Sequence, residues 1–192
     1  MTNPLSTHRR AALQKLGVAT LCASPWASGA VFAAVFMETE QAHKLLIPNA
    51  DAFQAYAFVL NDTQLNTIAK ASDTRPPKNF NPKIWRATQA NKTLGWLMSD
   101  RVIGKYDLID YIAGFDAQGT SLGMEVLAYR ESHGSEIKQS AWRKQFVGKK
   151  GPGGMRFADD IRNISGATLS CQHVTEGMQR LSALAQMLVP ES

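Results

Sequence analysis

The feature that most constrains this 192-residue sequence is the spacing of apolar residues near its C-terminus. Six apolar or small residues follow one another there at intervals of three or four: Cys171, Val174, Met178, Leu181, Ala185 and Leu188. This spacing places them in one stripe along a helix, and a helix buries such a stripe against another element. Pro190 cannot continue the helix because it lacks an amide hydrogen. The sequence therefore predicts a C-terminal helix that ends before Pro190 and packs on a core.

The segments before this helix are typical of an antiparallel sheet, because short apolar runs alternate with turn residues. Strands are predicted at residues 53–60, 84–88, 94–97, 108–115 and 122–129. Further helices are predicted at residues 39–46, 61–72 and 137–147. The last two strands flank residues 116–119, where Gly119 suits a hairpin turn. Together these elements predict one α+β domain, a meandering antiparallel sheet with packed helices.

Composition and charge exclude several classes of protein. A chain with 44% hydrophobic and 19% charged residues has the composition of a folded domain. Most of the net charge of +5 comes from Arg9, Arg10 and Lys15, so the rest of the chain does not favour nucleic-acid binding. Cys22 and Cys171 are too few for a disulfide framework, and the four histidines lack the spacing of metal ligands. We expect Cys171 to be a buried, inert thiol.

Residues 1–33 have the pattern of an export signal. A basic segment containing Arg9 and Arg10 precedes a short apolar stretch at residues 16–23, and small residues then lead to Ala30 and Ala33. The arginine pair is similar to that of a twin-arginine signal. The alternative is an uncleaved anchor at residues 16–37. Both interpretations place the protein in the periplasm or on the membrane facing it, with a mature domain that divides into residues 34–104 and 105–192.

A chemically informative segment, residues 164–170, lies immediately before the C-terminal helix. Gly166 permits close backbone approach to a ligand, and Thr168 offers a hydroxyl beside the unpaired amides of a helix N-terminus. Such an end can bind a phosphate. The alternative is that Thr168 or Ser170 is an ordinary N-cap that contributes about 1 kcal/mol.

Residues 165–168, Ser-Gly-Ala-Thr, resemble the flavinylation motif of the FMN-binding domain family. This family includes flavin-carrying subunits of the sodium-pumping NADH:quinone reductase and of the Rnf complex, as well as small exported proteins. Residues 114–120, 126–134 and 142–149 follow the family's order: a strand and turn, a strand ending in an acidic-to-glycine loop, and a helix with Trp142, Phe146 and Gly148. The chain departs from the family at Arg162, where many members have aspartate.

The resemblance implies a specific cofactor and site. A flavin transferase would split FAD and join FMN by a phosphoester to Thr168. The residues implied to hold the phosphate are Ser165, Gly166, Ala167, Leu169 and Ser170. The residues expected to contact the flavin ring are Tyr129, Glu131, Ser132, His133 and Gly134. For this second group an ordinary strand-end turn with solvated side chains is the alternative.

The function implied is that of an extracytoplasmic electron-transfer flavoprotein with FMN bound covalently. It would exchange electrons with a membrane redox protein and would itself be an electron carrier rather than a self-sufficient oxidoreductase. Two alternatives remain open on sequence: a sensing or regulatory module that binds flavin without turnover, and a small flavin reductase.

Overall fold

The computed structural model of this chain describes residues 34–131 and 134–189. The predicted export signal at residues 1–33 and two of the predicted ring contacts, Ser132 and His133, lie outside the described residues. Among the residues described, no helix combines the length and the hydrophobicity needed to cross a bilayer.

Within the described part of the chain, six strands form one antiparallel sheet. Their bounds are Ala34–Val35 (β1), Ala52–Tyr56 (β2), Lys83–Gln89 (β3), Lys92–Ile103 (β4), Leu108–Asp116 (β5) and Ser121–Tyr129 (β6). The order across the sheet is β1-β6-β5-β4-β3-β2, so β2 to β6 neighbour one another in chain order and β1 adds a short edge. In the centre, Ala113 of β5 pairs with Met98 of β4 and Met124 of β6. The predicted meander is confirmed.

Four α-helices among residues 34–131 and 134–189 accompany the sheet: Thr39–Leu46 (α1), Asp62–Ser72 (α2), Ser140–Arg143 (α3) and Thr168–Leu188 (α4). α4 packs on β4 and β5, and α2 packs beside α4. All six residues of the predicted apolar stripe on α4 are buried. Burial extends to Thr175, Ser182 and Leu184 as well. The predicted α+β architecture is therefore confirmed, with α4 as its central helix.

The two faces of the sheet bury different clusters. The larger cluster lies under α4 and includes Met98, Tyr111 and Phe115, whose alternate positions on β4 and β5 point to the same face. The smaller cluster contains Leu97 and Ile112 and lies under α1. Successive residues of a strand face opposite sides of the sheet, so β4 and β5 supply side chains to both clusters. Both faces of these central strands are covered, and their side chains are therefore fully buried at Leu97, Met98, Tyr111 and Ile112.

The prediction of one continuous helix at residues 137–147 is wrong. The backbone forms a 3₁₀ turn at Ser135–Lys138, an extended residue at Gln139, one turn of α3 and a second 3₁₀ turn at Lys144–Phe146. Trp142 and Phe146 nevertheless pack edge to face, with ring centroids 5.3 Å apart. The spacing of Trp142 and Phe146 therefore reflects their packing against each other. A series of short helical turns brings the two rings together as well as one regular helix would.

Strand β2 is shorter than predicted. It ends at Tyr56 and not at residue 60, because Tyr56 already pairs with Ile84, the second residue of β3. The β3–β4 turn lies at Ala90 and Asn91, which both have positive φ. A two-residue turn with both φ angles positive matches the twist of an antiparallel hairpin.

Candidate functional site

The loop before α4 is fixed by side chains of the α3 region. The Trp142 indole Nε1 donates to the Arg162 carbonyl oxygen at 2.8 Å, and the Arg162 amide donates to Gln145 Oε1 at 2.8 Å. The Ala167 amide then donates to the Ile164 carbonyl at 3.0 Å, which closes a tight turn. Gly166 within this turn has φ +86°, a conformation that glycine adopts without strain. The loop therefore presents one defined backbone course at the start of α4.

The N-terminus of α4 carries no side-chain cap. Its N-cap position is Ala167, which has no hydrogen-bonding side chain, and Thr168 is the first helical residue. The expectation that Thr168 or Ser170 caps the helix is therefore wrong. In a helix the first amides lack intrahelical partners, so this end offers donors and the positive end of the helix dipole to an anion. A phosphate group fits this arrangement.

Thr168 has an exposed side chain at this helix end. Its Oγ1 accepts a hydrogen bond from Asn163 Nδ2 at 3.0 Å, and this bond leaves the hydroxyl hydrogen free to point elsewhere. The sequence motif predicts a role for Thr168, but nothing in the sequence indicates that Asn163 contacts it. The hydroxyl is therefore accessible, and its donor among the described residues is the neutral side-chain amide of Asn163.

A pocket of about 500 Å³ opens at this helix end. It is lined by Lys105, Tyr106, Glu131, Gly166, Ala167, Thr168, Leu169 and Ser170. This volume lies in the range of about 300–1,000 Å³ that is common for small-molecule sites. Four of the five predicted phosphate-binding residues, all except Ser165, therefore line one cavity together with the predicted attachment residue. Ser165 is exposed beside it.

Tyr129 and Gly134 lie behind this helix end and do not line the pocket. Tyr129 is buried, and its hydroxyl forms a hydrogen bond with the Ser170 side chain, while burial raises the pKa of this hydroxyl. A Cβ atom on Gly134 would lie 2.7 Å from the Tyr129 hydroxyl oxygen and 3.3 Å from Ala167 Cβ. These two residues therefore support the start of α4 from within.

Glu131 contributes to the pocket wall in a way that the sequence did not indicate. Its Oε1 accepts hydrogen bonds from the amides of Tyr106 at 2.9 Å and Asp107 at 3.2 Å. Its carboxylate therefore holds the β4–β5 turn in place. Lys105 and Tyr106, in this turn, are pocket residues that sequence reasoning missed.

The described contacts of Arg162 and of the nearest acidic residues are made with residues other than Thr168. The Arg162 side chain is exposed, and its backbone groups bind Trp142 and Gln145. Asp160 accepts bonds from the backbone amide and from Nε of Arg156, and the side-chain bond lowers the pKa of Asp160. These contacts pair the Asp160 carboxylate with Arg156.

The comparison with known proteins agrees with this geometry. The family model for the FMN-binding domain matches residues 104–183, a range that contains the eight described residues that line the pocket. No curated protein matches the chain. The uncapped helix end suits a phosphate, and the adjoining cavity is large enough for an aromatic ligand. Residues 104–183 of this chain therefore form a domain of the FMN-binding domain family, and FMN is the cofactor that this domain indicates.

Proposed function

We propose that the chain is an electron-transfer flavoprotein in which FMN is joined by a phosphoester to Thr168. The observation that carries the proposal is the position of Thr168: an exposed residue, the first of an uncapped 21-residue helix, whose side chain bears a hydroxyl and which lines a pocket. The hydroxyl therefore lies where the amides of Thr168, Leu169 and Ser170 could stabilise phosphate charge.

The attachment reaction requires FAD and a flavin transferase. The Thr168 oxygen forms a new bond to the flavin-side phosphorus, the bond between that phosphorus and the bridging diphosphate oxygen breaks, and AMP leaves. The hydroxyl proton is released in the same step. The Asn163 amide donates to the Thr168 oxygen and leaves this proton free, so we expect it to orient the hydroxyl for transfer.

Once bound, FMN supplies the redox chemistry, accepting and donating one or two electrons. The chain's own residues bind the phosphate, position the ring and limit its contact with solvent. The exposed side chains of Leu169 and Tyr106 at the pocket support an exchange of electrons at the protein surface. We propose a membrane redox protein as the partner and the periplasm as the location, and the export pattern at residues 1–33 supports both.

Co-expression of the full chain with a flavin transferase tests the attachment. We expect one FMN per chain that survives denaturation, detected by intact mass and by fluorescence of the protein band in a denaturing gel. Thr168→Ala should abolish both signals. Thr67→Ala is the matched control, because Thr67 is an exposed threonine on α2 that does not line the pocket.

The same preparation separates the alternatives. A colourless Thr67→Ala protein, in cells that flavinylate another member of the family, would contradict the proposed attachment. Flavin that is released by denaturation would favour a binding or sensing module. Rapid reoxidation of the reduced protein by bacterial membranes would support the electron carrier, whereas steady turnover with a soluble donor and acceptor would favour a reductase.

A further inference from the structure

We propose that the β4–β5 turn, residues 104–107, forms the wall against which the flavin ring lies, with Tyr106 stacked on the ring. This inference rests on the proposed attachment of FMN to Thr168. It assigns a ring contact to a residue outside the motifs that resemble the family. It also changes the ring contacts expected from sequence, since Tyr129 and Gly134 lie behind the helix end.

The first observation is the unusual exposure of Tyr106. Its side chain is 77% exposed, although it lines the pocket together with Thr168 and Leu169. Tyr106 is the aromatic residue among the described residues that line this cavity. A tyrosine buries a large area when it meets a flat partner, and offset stacking adds about 0.5–1.5 kcal/mol. An aromatic ligand is therefore a suitable partner for the exposed ring.

The second observation is that the turn is firmly held although the Tyr106 side chain is free of the core. The Gly104 amide donates to the Asp107 carbonyl at 2.7 Å, and Glu131 accepts from the amides of Tyr106 and Asp107. On the other side, His173 Nδ1 lies 2.7 Å from the Ile103 carbonyl oxygen. Because that partner is an acceptor, this nitrogen carries the hydrogen.

The third observation concerns Gly104, which allows this arrangement. A Cβ atom there would lie 2.1 Å from Glu131 Oε1, so any larger residue would displace the carboxylate that binds the turn. The turn, the end of β6 and the start of α4 are thus tied together by Glu131 and His173. Such a scaffold positions an aromatic side chain without burying it, which is the arrangement that a ring-binding surface requires.

Lys105 adds a positive charge to the same wall. Its ammonium nitrogen lies 4.8 Å from the centroid of the Tyr106 ring. A cation beside a flavin favours the reduced form, which carries more negative charge. The wall therefore combines a stacking surface with a group that can raise the reduction potential.

Flavin fluorescence tests the proposal, because stacking on an electron-rich aromatic ring quenches it. Wild type, Tyr106→Leu, Tyr106→Trp and the control Tyr56→Leu would be flavinylated, and their FMN content would be matched by intact mass. Tyr56 is a partly exposed tyrosine on β2 and does not line the pocket. Fluorescence yield and lifetime would be measured before and after denaturation, so that each protein provides its own unquenched reference.

We expect a severalfold higher folded-state yield for Tyr106→Leu than for wild type, with Tyr106→Trp and Tyr56→Leu both remaining quenched. Equal yields and lifetimes for wild type and Tyr106→Leu, at equal FMN content, would overturn this inference and leave the attachment standing. The same equal yields combined with slower reduction of Tyr106→Leu by membranes would instead assign Tyr106 to partner docking. A wild-type protein without the FMN mass increment would overturn the proposed function itself.

Discussion

Thr168 differs from the other hydroxyl-bearing residues of its loop in what surrounds its oxygen. Ser170 is buried and bonded to Tyr129, whereas Ser165 is exposed but does not line the pocket. Thr168 is both exposed and at the pocket. The motif identifies the loop from sequence, but the distinction among its three hydroxyls depends on burial and is visible only in the folded chain.

Lys105 gives a prediction about the flavin itself. Its hydrogen bond to Tyr106 raises the pKa of Lys105, so the ammonium group keeps its charge at neutral pH. We expect Lys105→Gln to lower the midpoint potential of the bound flavin, and rising salt to reduce the difference from wild type. A redox titration measures both. Lys70→Gln, which removes an exposed charge on α2, should leave the potential unchanged; an equal shift in both variants would contradict a local effect.

Cys171 gives a prediction about reactivity. The residue is buried in the first turn of α4, and burial raises the pKa of its thiol to about 11 from 9.0. At pH 8 this shift alone reduces the thiolate fraction about 100-fold. We expect alkylation in a Cys22→Ser background to be slower by at least about that factor in the folded protein than after denaturation, as followed by mass spectrometry. Comparable rates would show that the thiol is accessible.

At the level of elements, α4 approaches the sheet closely at Gly177. A Cβ atom there would lie 2.3 Å from the Tyr111 hydroxyl oxygen. Alanine favours a helix over glycine by about 1 kcal/mol. We nevertheless expect Gly177→Ala to lower the free energy of unfolding by about 1–3 kcal/mol, since overpacking outweighs propensity. Chemical denaturation measures this change.

Two further variants show whether the contact with Tyr111 is responsible. Gly177→Ala should lower the free energy of unfolding less in a Tyr111→Phe background than in the wild type, because the clashing hydroxyl oxygen is gone. Gln179→Ala, at a partly exposed position of the same helix, should cost little. A stabilised Gly177→Ala protein would show that the sheet adjusts to the added methyl group.

The elements differ in how far sequence could predict them. The α4 stripe and the β5–β6 hairpin have long, regular patterns, and both are confirmed. The region at residues 135–146 contains single turns, in which apolar spacing carries little information about backbone hydrogen bonding. There the decisive interaction is the Trp142 indole with the Arg162 carbonyl, and its partners are 20 residues apart. Local pattern cannot reveal such a contact.

On the scale of the whole molecule, the pocket combines three segments that are distant in sequence: the β4–β5 turn, Glu131 and the start of α4. Two of them carry motifs, and sequence analysis therefore found them. The third became visible only through the sheet register, which places the β4–β5 turn beside the end of β6. Residues 34–103 extend the sheet and supply α1 and α2, yet none of them lines this pocket.

The central claim is that one phosphoester at Thr168 holds the flavin, and peptide mass spectrometry tests it most directly. Trypsin should release residues 163–180 as one peptide, bounded by Arg162 and Arg180 and containing Ser165, Thr168, Ser170 and Thr175. We expect this peptide, from protein co-expressed with a flavin transferase, to carry one FMN whose position is assigned to Thr168 by its fragment ions. FMN on another residue, or an unmodified peptide alone, would contradict the account.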